Sequence, residues 1–222
     1  MPEILHLQVL KLVIEKKFPM RCSIFVLLSF TYKNKKHVLQ KLSEKELAEG
    51  CRKGDNVARK QLYEQYADLL MAVCMRYSGD RDTAQDILHD GFLKAFRSFG
   101  QFQYMGEGSL RAWLTRIMVN GALEALRKRN VLNEQPIEEL PDDIIEDEED
   151  LELIPQAVLM QFIQELPDGY RTVFNLYVFE EKSHKEIAEI LGITEHTSSS
   201  QFFRAKKLLM KKISEYLKRE DL

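Results

Sequence analysis

Apolar residues recur at intervals of three and four along most of the chain, and the breaks in that rhythm divide it into helices. Ser43 and Glu46 form an S-x-x-E capping box ahead of Leu47 and Cys51, which predicts a first helix. Gly54 ends it, and Asp55 is placed to cap the next. Ala58, Leu62, Tyr66, Leu69, Val73 and Tyr77 make one apolar stripe of a long second helix, which Gly79-Asp80 breaks. A third helix is predicted from about Asp82 to Phe99, with Ala84, Ile87, Leu88, Gly91, Phe92, Ala95 and Phe99 inward. After a loop containing Gly100, Gly106 and Gly108, Ser109 is expected to cap a fourth helix. Its core face would be Leu110, Leu114, Ile117 and Gly121, and it would end in Arg127-Lys128-Arg129.

The rhythm then stops. From Asn130 to Leu153 there are eleven acidic residues and no Lys or Arg, with Pro136 and Pro141 inside the segment and Pro155 just beyond. Such a stretch repels itself and stays extended, so it reads as a linker. Helices resume over about Gln156 to Glu165, break at Pro167-Asp168-Gly169, continue over about Tyr170 to Glu180, and end in a pair from Ser183 to about Leu217. No repeat and no strand pattern is found. The expected fold is all-α: two small helical domains, 42–129 and 155–219, joined by the acidic linker 130–154. An N-terminal extension, 1–41, is expected to lie outside the fold.

Charge alters this picture only through its distribution. The net charge is −3, from 32 basic and 35 acidic residues, which alone argues against a nucleic-acid binder. Setting aside the eleven acids of the linker leaves 24 acidic against 32 basic residues, so two basic flanks surround an acidic block. Cys22, Cys51 and Cys74 form no CxxC pair and read as reduced, mostly buried residues, neither a disulfide frame nor a zinc site. The apolar run Cys22 to Tyr32 falls short of the roughly 20 residues needed to span a bilayer. Lys16, Lys17 and Arg21 precede it as in a signal peptide, but no small-x-small cleavage pattern follows. A cytoplasmic protein with no membrane insertion is expected.

The sharpest local pattern is Ser183 to Leu209. Ser183 and Glu186 form a second capping box, Ile187, Ala188 and Leu191 supply an inner face, Gly192 makes a tight turn, Ile193 is expected as a buried plug, and Thr194 caps the next helix. This is helix-turn-helix spacing. Glu195, His196, Ser199 and Ser200 present short polar groups at the start of the second helix, and Arg204, Lys206, Lys207, Lys211 and Lys212 follow as a basic tail. Short groups for base edges and cations for phosphate suit a major-groove reader.

Two further stripes carry chemistry. Asp86, Asp90, Leu93 and Arg97 share one side of the third helix, away from its apolar face. Trp113, Arg116, Asn120 and Arg127 share one side of the fourth, beside the loop that carries Phe102 and Tyr104. Aromatics interleaved with cations and an amide suit single-stranded nucleic acid, where bases stack and phosphates are neutralised.

The segment Asp80 to Phe96 resembles the D-x-x-x-A-x-D-[IL]-x-Q-[DE]-x-F signature of sigma region two, and Gly106 to Ile117 with Asn120 resembles its G-E-x-S-F-x-x-W-L-x-R-I-x-x-N continuation. Leu166-Pro167 through Tyr177 and Ser183 to Ile193 resemble sigma region four. With only the acidic linker between them, the layout is similar to that of extracytoplasmic-function sigma factors of the sigma-70 family, over roughly residues 42 to 217. The resemblance implies a sigma factor that binds core RNA polymerase and promoter DNA, and an anti-sigma factor as a further partner. It implies that Asp86, Asp90, Leu93 and Arg97 meet the clamp helices of the polymerase's large subunit. It implies that Phe102, Tyr104, Trp113, Arg116, Asn120 and Arg127 open the minus-ten element and capture a flipped base. Finally, it implies that Glu195, His196, Ser199, Ser200, Arg204 and Lys207 read the minus-thirty-five duplex.

Three departures from the family pattern stand out. His89 stands where Gln is usual. Ser199 and Gln201 stand where Lys and Arg are common, so fewer phosphate contacts are expected there. Ser198 replaces a usual Val, which is expected to loosen the recognition helix. Two other readings fit parts of the sequence. A helix-turn-helix regulator that never touches polymerase explains 183–212 but leaves 80–129 idle. His89-Asp90 is also the dipeptide of metal-dependent HD phosphohydrolases, but the only histidines upstream are His6 and His37. No activated Ser or Cys and no phosphate-binding loop is found, so neither enzyme activity nor a metal or cofactor is expected.

Overall fold

The computed structural model describes residues 41–128 and 154–220, and the chain divides between Lys128 and Arg129 into two compact units. The expected extension, all but its last residue, and most of the acidic linker lie outside the described residues, as does Cys22. Every regular element among the described residues is a helix. None of these helices is long and apolar enough to cross a membrane.

The first unit is built from α1 (Glu44–Arg52), α2 (Asn56–Ser78), α3 (Arg81–Ser98), a 3-10 turn (Phe99–Gln101) and α4 (Ser109–Lys128). Local chemistry sets most of these boundaries. Both halves of the Ser43–Glu46 capping box form: the Ser43 hydroxyl accepts from the Glu46 amide, and the Glu46 carboxylate accepts from the Ser43 amide. Asp55 accepts from the Val57 amide at 2.9 Å and Asp80 from the Thr83 amide at 2.8 Å, starting α2 and α3. Gly79 ends α2 in the left-handed conformation, at φ 75°.

All seven residues expected to face inward on α3 and its end are buried, but two stripes shift. On α2 it is Leu70, not Leu69, that is buried. On α4 the buried line runs through Leu110, Leu114, Met118, Ala122 and Leu126, while Ile117 and Gly121 are half-buried. Gly91 on α3 accounts for the second shift. A Cβ at position 91 would lie 2.2 Å from the Met118 sulfur, so the glycine is a notch that the Met118 side chain fills.

Ser109 does not cap α4 as expected. It is the first residue of the helix, and its hydroxyl donates back to the Gly106 carbonyl at 2.6 Å. The amides of Gly108, just before α4, and Leu110, in its first turn, are instead received from across the unit by the Glu44 carboxylate at the start of α1.

The second unit comprises α5 (Gln156–Gln164), α6 (Asp168–Val178), α7 (His184–Leu191) and α8 (Glu195–Glu220). The turn between α5 and α6 closes around a buried guanidinium. Arg171 donates to the carbonyls of Gln164 (2.8 Å) and Leu166 (2.7 Å) and pairs with Asp168. The second capping box forms at Ser183 and Glu186, and the Glu186 carboxyl is held down at about 2, first by its hydrogen bond from the Ser183 amide. In the first unit, Cys51 and Cys74 are buried free thiols, with pKa pushed up by burial to about 11 and about 12, so both stay protonated and unreactive.

Candidate nucleic-acid interface

In the first unit, α3 presents Asp86, Asp90, Leu93 and Arg97 together on its exposed side. Leu93 is 51% exposed, large for an apolar side chain, and lines an open depression with Asp90, Lys94, Arg97 and Ser98. Among the described residues neither Asp86 nor Asp90 forms an ion pair. A leucine ringed by charges on a helix face is suited to meet a partner. His89 lies exposed beside Asp90, and no group of three potential metal ligands gathers there or elsewhere among the described residues.

The aromatic side of the unit divides into a support and a rim. Phe102 was expected among the residues that touch nucleic acid, but it is only 4% exposed and packs on Phe99 and Trp113. Its place is in the core, where it seats the loop. Trp113 is half-buried, its ring centre 5.0 Å from those of both Phe99 and Phe102, so it is packed on both rings and only partly exposed. Arg116, Asn120 and Arg127 are exposed along α4, and Tyr104 is exposed on the loop. The loop tip also carries Met105, 87% exposed, which periodicity gave no reason to single out. A methionine next to Gly106, outside any apolar stripe, is the one signal that pointed to it.

The loop is held at both ends from α1. Arg52 donates to the Phe102 carbonyl at 2.7 Å and to the Phe99 carbonyl at 3.4 Å. Glu44 accepts from the Gly108 amide at 2.8 Å and the Leu110 amide at 3.4 Å, and from the Tyr66 hydroxyl at 2.8 Å. Burial, then the hydrogen bond to Glu44, pushes the Tyr66 phenol up, so it remains a donor. Neither Glu44 nor Arg52 was a candidate from sequence, because contacts 47 to 66 residues apart leave no local pattern.

In the second unit the turn between α7 and α8 forms as expected, with Gly192 at φ 70° and the Thr194 hydroxyl accepting from the Thr197 amide at 3.0 Å. Ile193, expected as a buried plug, is half-buried. Glu195, His196 and Ser199 are exposed on the first turns of α8, and Ser200, Arg204 and Lys207 are half-buried. Arg204 reaches the Tyr170 hydroxyl at 3.5 Å. Phe203, one helical turn beyond Ser199, is 41% exposed, with the Lys207 ammonium 5.3 Å from its ring centre. Lys212 turns away to Glu165 at 2.6 Å and so packs the unit together instead of extending the basic tail.

Two of the departures from the family pattern have structural roles. Ser198 is fully buried, and its hydroxyl lies 2.9 Å from His184 Nδ1, with the imidazole stacked on Tyr177. Instead of loosening the recognition helix, Ser198 ties α8 to α7. Burial lowers the His184 pKa, which favours the neutral ring in that contact. Gln201 is 8% exposed and packs on Gly169, so this position faces the core of the unit and not a phosphate.

Comparison with known proteins agrees with these two units. The sigma-70 region 2 model matches residues 62–131 and the sigma-70 region 4 model matches residues 156–209, together more than half of the chain. The chain is 28% identical to the RNA polymerase sigma-H factor of Pseudomonas aeruginosa, over 82% of its own length and 99% of that protein. It is 29% identical to the extracytoplasmic-function sigma-E factor of Haemophilus influenzae, over 78% and 97%. It is 28% identical to the extracytoplasmic-function sigma factor SigW of Bacillus subtilis, over 73% and 92%. Its first unit carries region 2 and its second carries region 4, and the chain belongs to the sigma-70 family of RNA polymerase sigma factors, in the extracytoplasmic-function group.

Proposed function

We propose that the chain recruits core RNA polymerase through the exposed face of α3 and contacts promoter DNA in two chemically different ways. Residues 42–129 act on the minus-ten element and residues 155–219 on the minus-thirty-five element, with 130–154 as the linker. The observation that carries this reading is the contrast between the two exposed faces. One combines a partly exposed Trp113 with Tyr104, Arg116, Asn120 and Arg127, which suits unpaired bases and their phosphates. The other offers Glu195, His196, Ser199 and Ser200 from the start of a helix, with Arg204 and Lys207 behind them, which suits base edges in a duplex groove. Met105 joins the first face and Phe203 the second, where an aromatic ring suits a thymine methyl. An anti-sigma factor is included as a third partner on the family resemblance alone.

The polymerase contact is tested by reversing charge on α3. Asp86→Lys with Asp90→Lys changes two exposed residues, so folding is expected to change by less than about 0.5 kcal/mol per site. At an interface the reversed pair sets like charges together, which costs several kcal/mol and abolishes retention by core polymerase. Unchanged co-purification of the folded variant with core polymerase contradicts the assignment of this face.

A further inference from the structure

Both ends of the loop beside Trp113 are fastened to one short helix. Arg52, the last residue of α1, takes the two carbonyls that lead into the loop, at Phe99 and Phe102. Glu44, the first residue of the same helix, takes the two amides that lead out of it, at Gly108 and Leu110. Each interaction joins a full charge to a backbone dipole of the matching sign, and Glu44 also sits at the positive end of α4. Between these anchors the hydrogen bonds are local ones to Ser109, which donates its amide and hydroxyl to the Gly106 carbonyl at 3.2 and 2.6 Å and accepts from the Met105 amide at 3.3 Å. Of these hydrogen bonds, only those to α1 tie the loop to the rest of the unit. Gly106 and Gly108 have φ of 115° and 89° with nothing within 4 Å of where a Cβ would be, and Met105 is 87% exposed. Tyr66, donating to the second oxygen of Glu44, orients that carboxylate from α2. The fastening helix lies outside the span that matches the region 2 model, which begins at residue 62.

We infer that α1 is a brace for the base-capturing loop, with Glu44 and Arg52 as positioning residues for promoter opening. Neither touches DNA. By fixing the loop ends they remove its conformational freedom before a base arrives, so capture does not have to order the loop. The inference rests on the reading that this loop and the Trp113 face engage an unpaired base.

The test uses holoenzyme and a single-stranded minus-ten oligonucleotide. Glu44→Ala and Arg52→Gln are each expected to weaken binding about tenfold, the scale of one lost charge-assisted hydrogen bond. Glu44→Gln keeps a carbonyl oxygen for the two amides and is expected to retain most of the affinity. Hydrogen exchange at the Gly108 amide is expected to quicken in Glu44→Ala, while retention by core polymerase and binding to minus-thirty-five duplex stay at the unaltered level. Single-strand affinity within twofold of the unaltered protein in both Glu44→Ala and Arg52→Gln overturns the brace. Where Glu44→Ala also loses core retention it has unfolded, and Glu44→Gln decides: strand binding near the unaltered level supports the brace, and a loss of about tenfold overturns it. Trp113→Ala is measured alongside. If Trp113→Ala loses single-strand binding and the α1 variants do not, the brace alone fails. If Trp113→Ala also binds normally, base capture by this face fails, and the brace with it.

Discussion

Among the described residues, the first unit buries Arg76 and Ser78 as its polar side chains, while the second, smaller unit buries Arg171, Thr172, Asn175, Ser198 and Gln201. The first unit forms its core from apolar stripes and places its charged anchors, Glu44 and Arg52, at the rim where they hold a loop. The second draws polar groups inside, and two of them set its helix directions: Arg171 at the α5–α6 turn, and Ser198, with His184, between α7 and α8. A small domain buries a smaller share of its surface and has less apolar packing with which to define one arrangement. Buried, satisfied hydrogen bonds define it more sharply, at the cost that each loss leaves an unpaired partner behind. For a unit proposed to seat a helix in a DNA groove, the angle between α7 and α8 is the quantity that must not drift.

This comparison can be broken at its strongest point by Arg171→Met. Two carbonyls and Asp168 lose their partner, and the second unit is expected to lose about 3 kcal/mol. Hydrogen exchange across α5–α8 reads the loss, and exchange in α2–α4 should not change. Comparable losses in both units contradict their independence.

Gly91→Ala probes the apolar core in the same way. The new methyl group meets Met118, and a cost of about 2 kcal/mol is expected, the usual scale of overpacking. Adding Met118→Leu, which removes the sulfur at the point of closest approach, should recover part of it; strict additivity in denaturant titrations shows that the notch is not shared.

Ser198→Val restores the residue usual in the family but leaves His184 Nδ1 without its partner, at an expected cost of about 1 kcal/mol. Ser198→Thr, which keeps the hydroxyl, should cost less in the same thermal melt, and the opposite order contradicts the tie between α7 and α8.

The smallest effect is a pH dependence. Burial lowers the His184 pKa below 6.5, and the charge of Glu195 opposes that shift as the lesser influence. The unfolded chain therefore takes up a proton that the folded unit resists. Stability from the neutral ring is complete above about 6.5 and is lost as pH falls through that value toward the lower folded one. Melting of the second unit between pH 7 and pH 5 should fall more steeply in the unaltered protein than in His184→Gln.

Caps, breaks and inward faces were legible because each is written within four residues of itself: Ser43 with Glu46, Asp55, Gly79, Ser183 with Glu186, and Gly192. Leu69 on α2, and Ile117 and Gly121 on α4, were placed one residue off their stripes because Leu69 and Leu70, or Ile117 and Met118, satisfy the same period. Only the neighbouring helix, through Gly91, decides between the latter two. Phe102 and Trp113 read alike in sequence as aromatics near a basic face, yet one seats the loop and the other reaches the surface. Glu44 and Arg52 were invisible for the same reason, since their partners lie far along the chain. Ser198 was read as loosening the recognition helix, and Gln201 as a weakened phosphate contact, because family positions were known and their packing was not.

The central claim is that the two units engage DNA in different states, and matched promoter templates test it most directly. Trp113→Ala with Asn120→Ala is assayed in holoenzyme on a fully duplex promoter and on one with a pre-melted minus-ten bubble. The account predicts near-normal recruitment to the upstream duplex, loss of opening on the closed template, and partial recovery on the bubble. Equal failure on both templates, or a defect confined to recruitment, contradicts it.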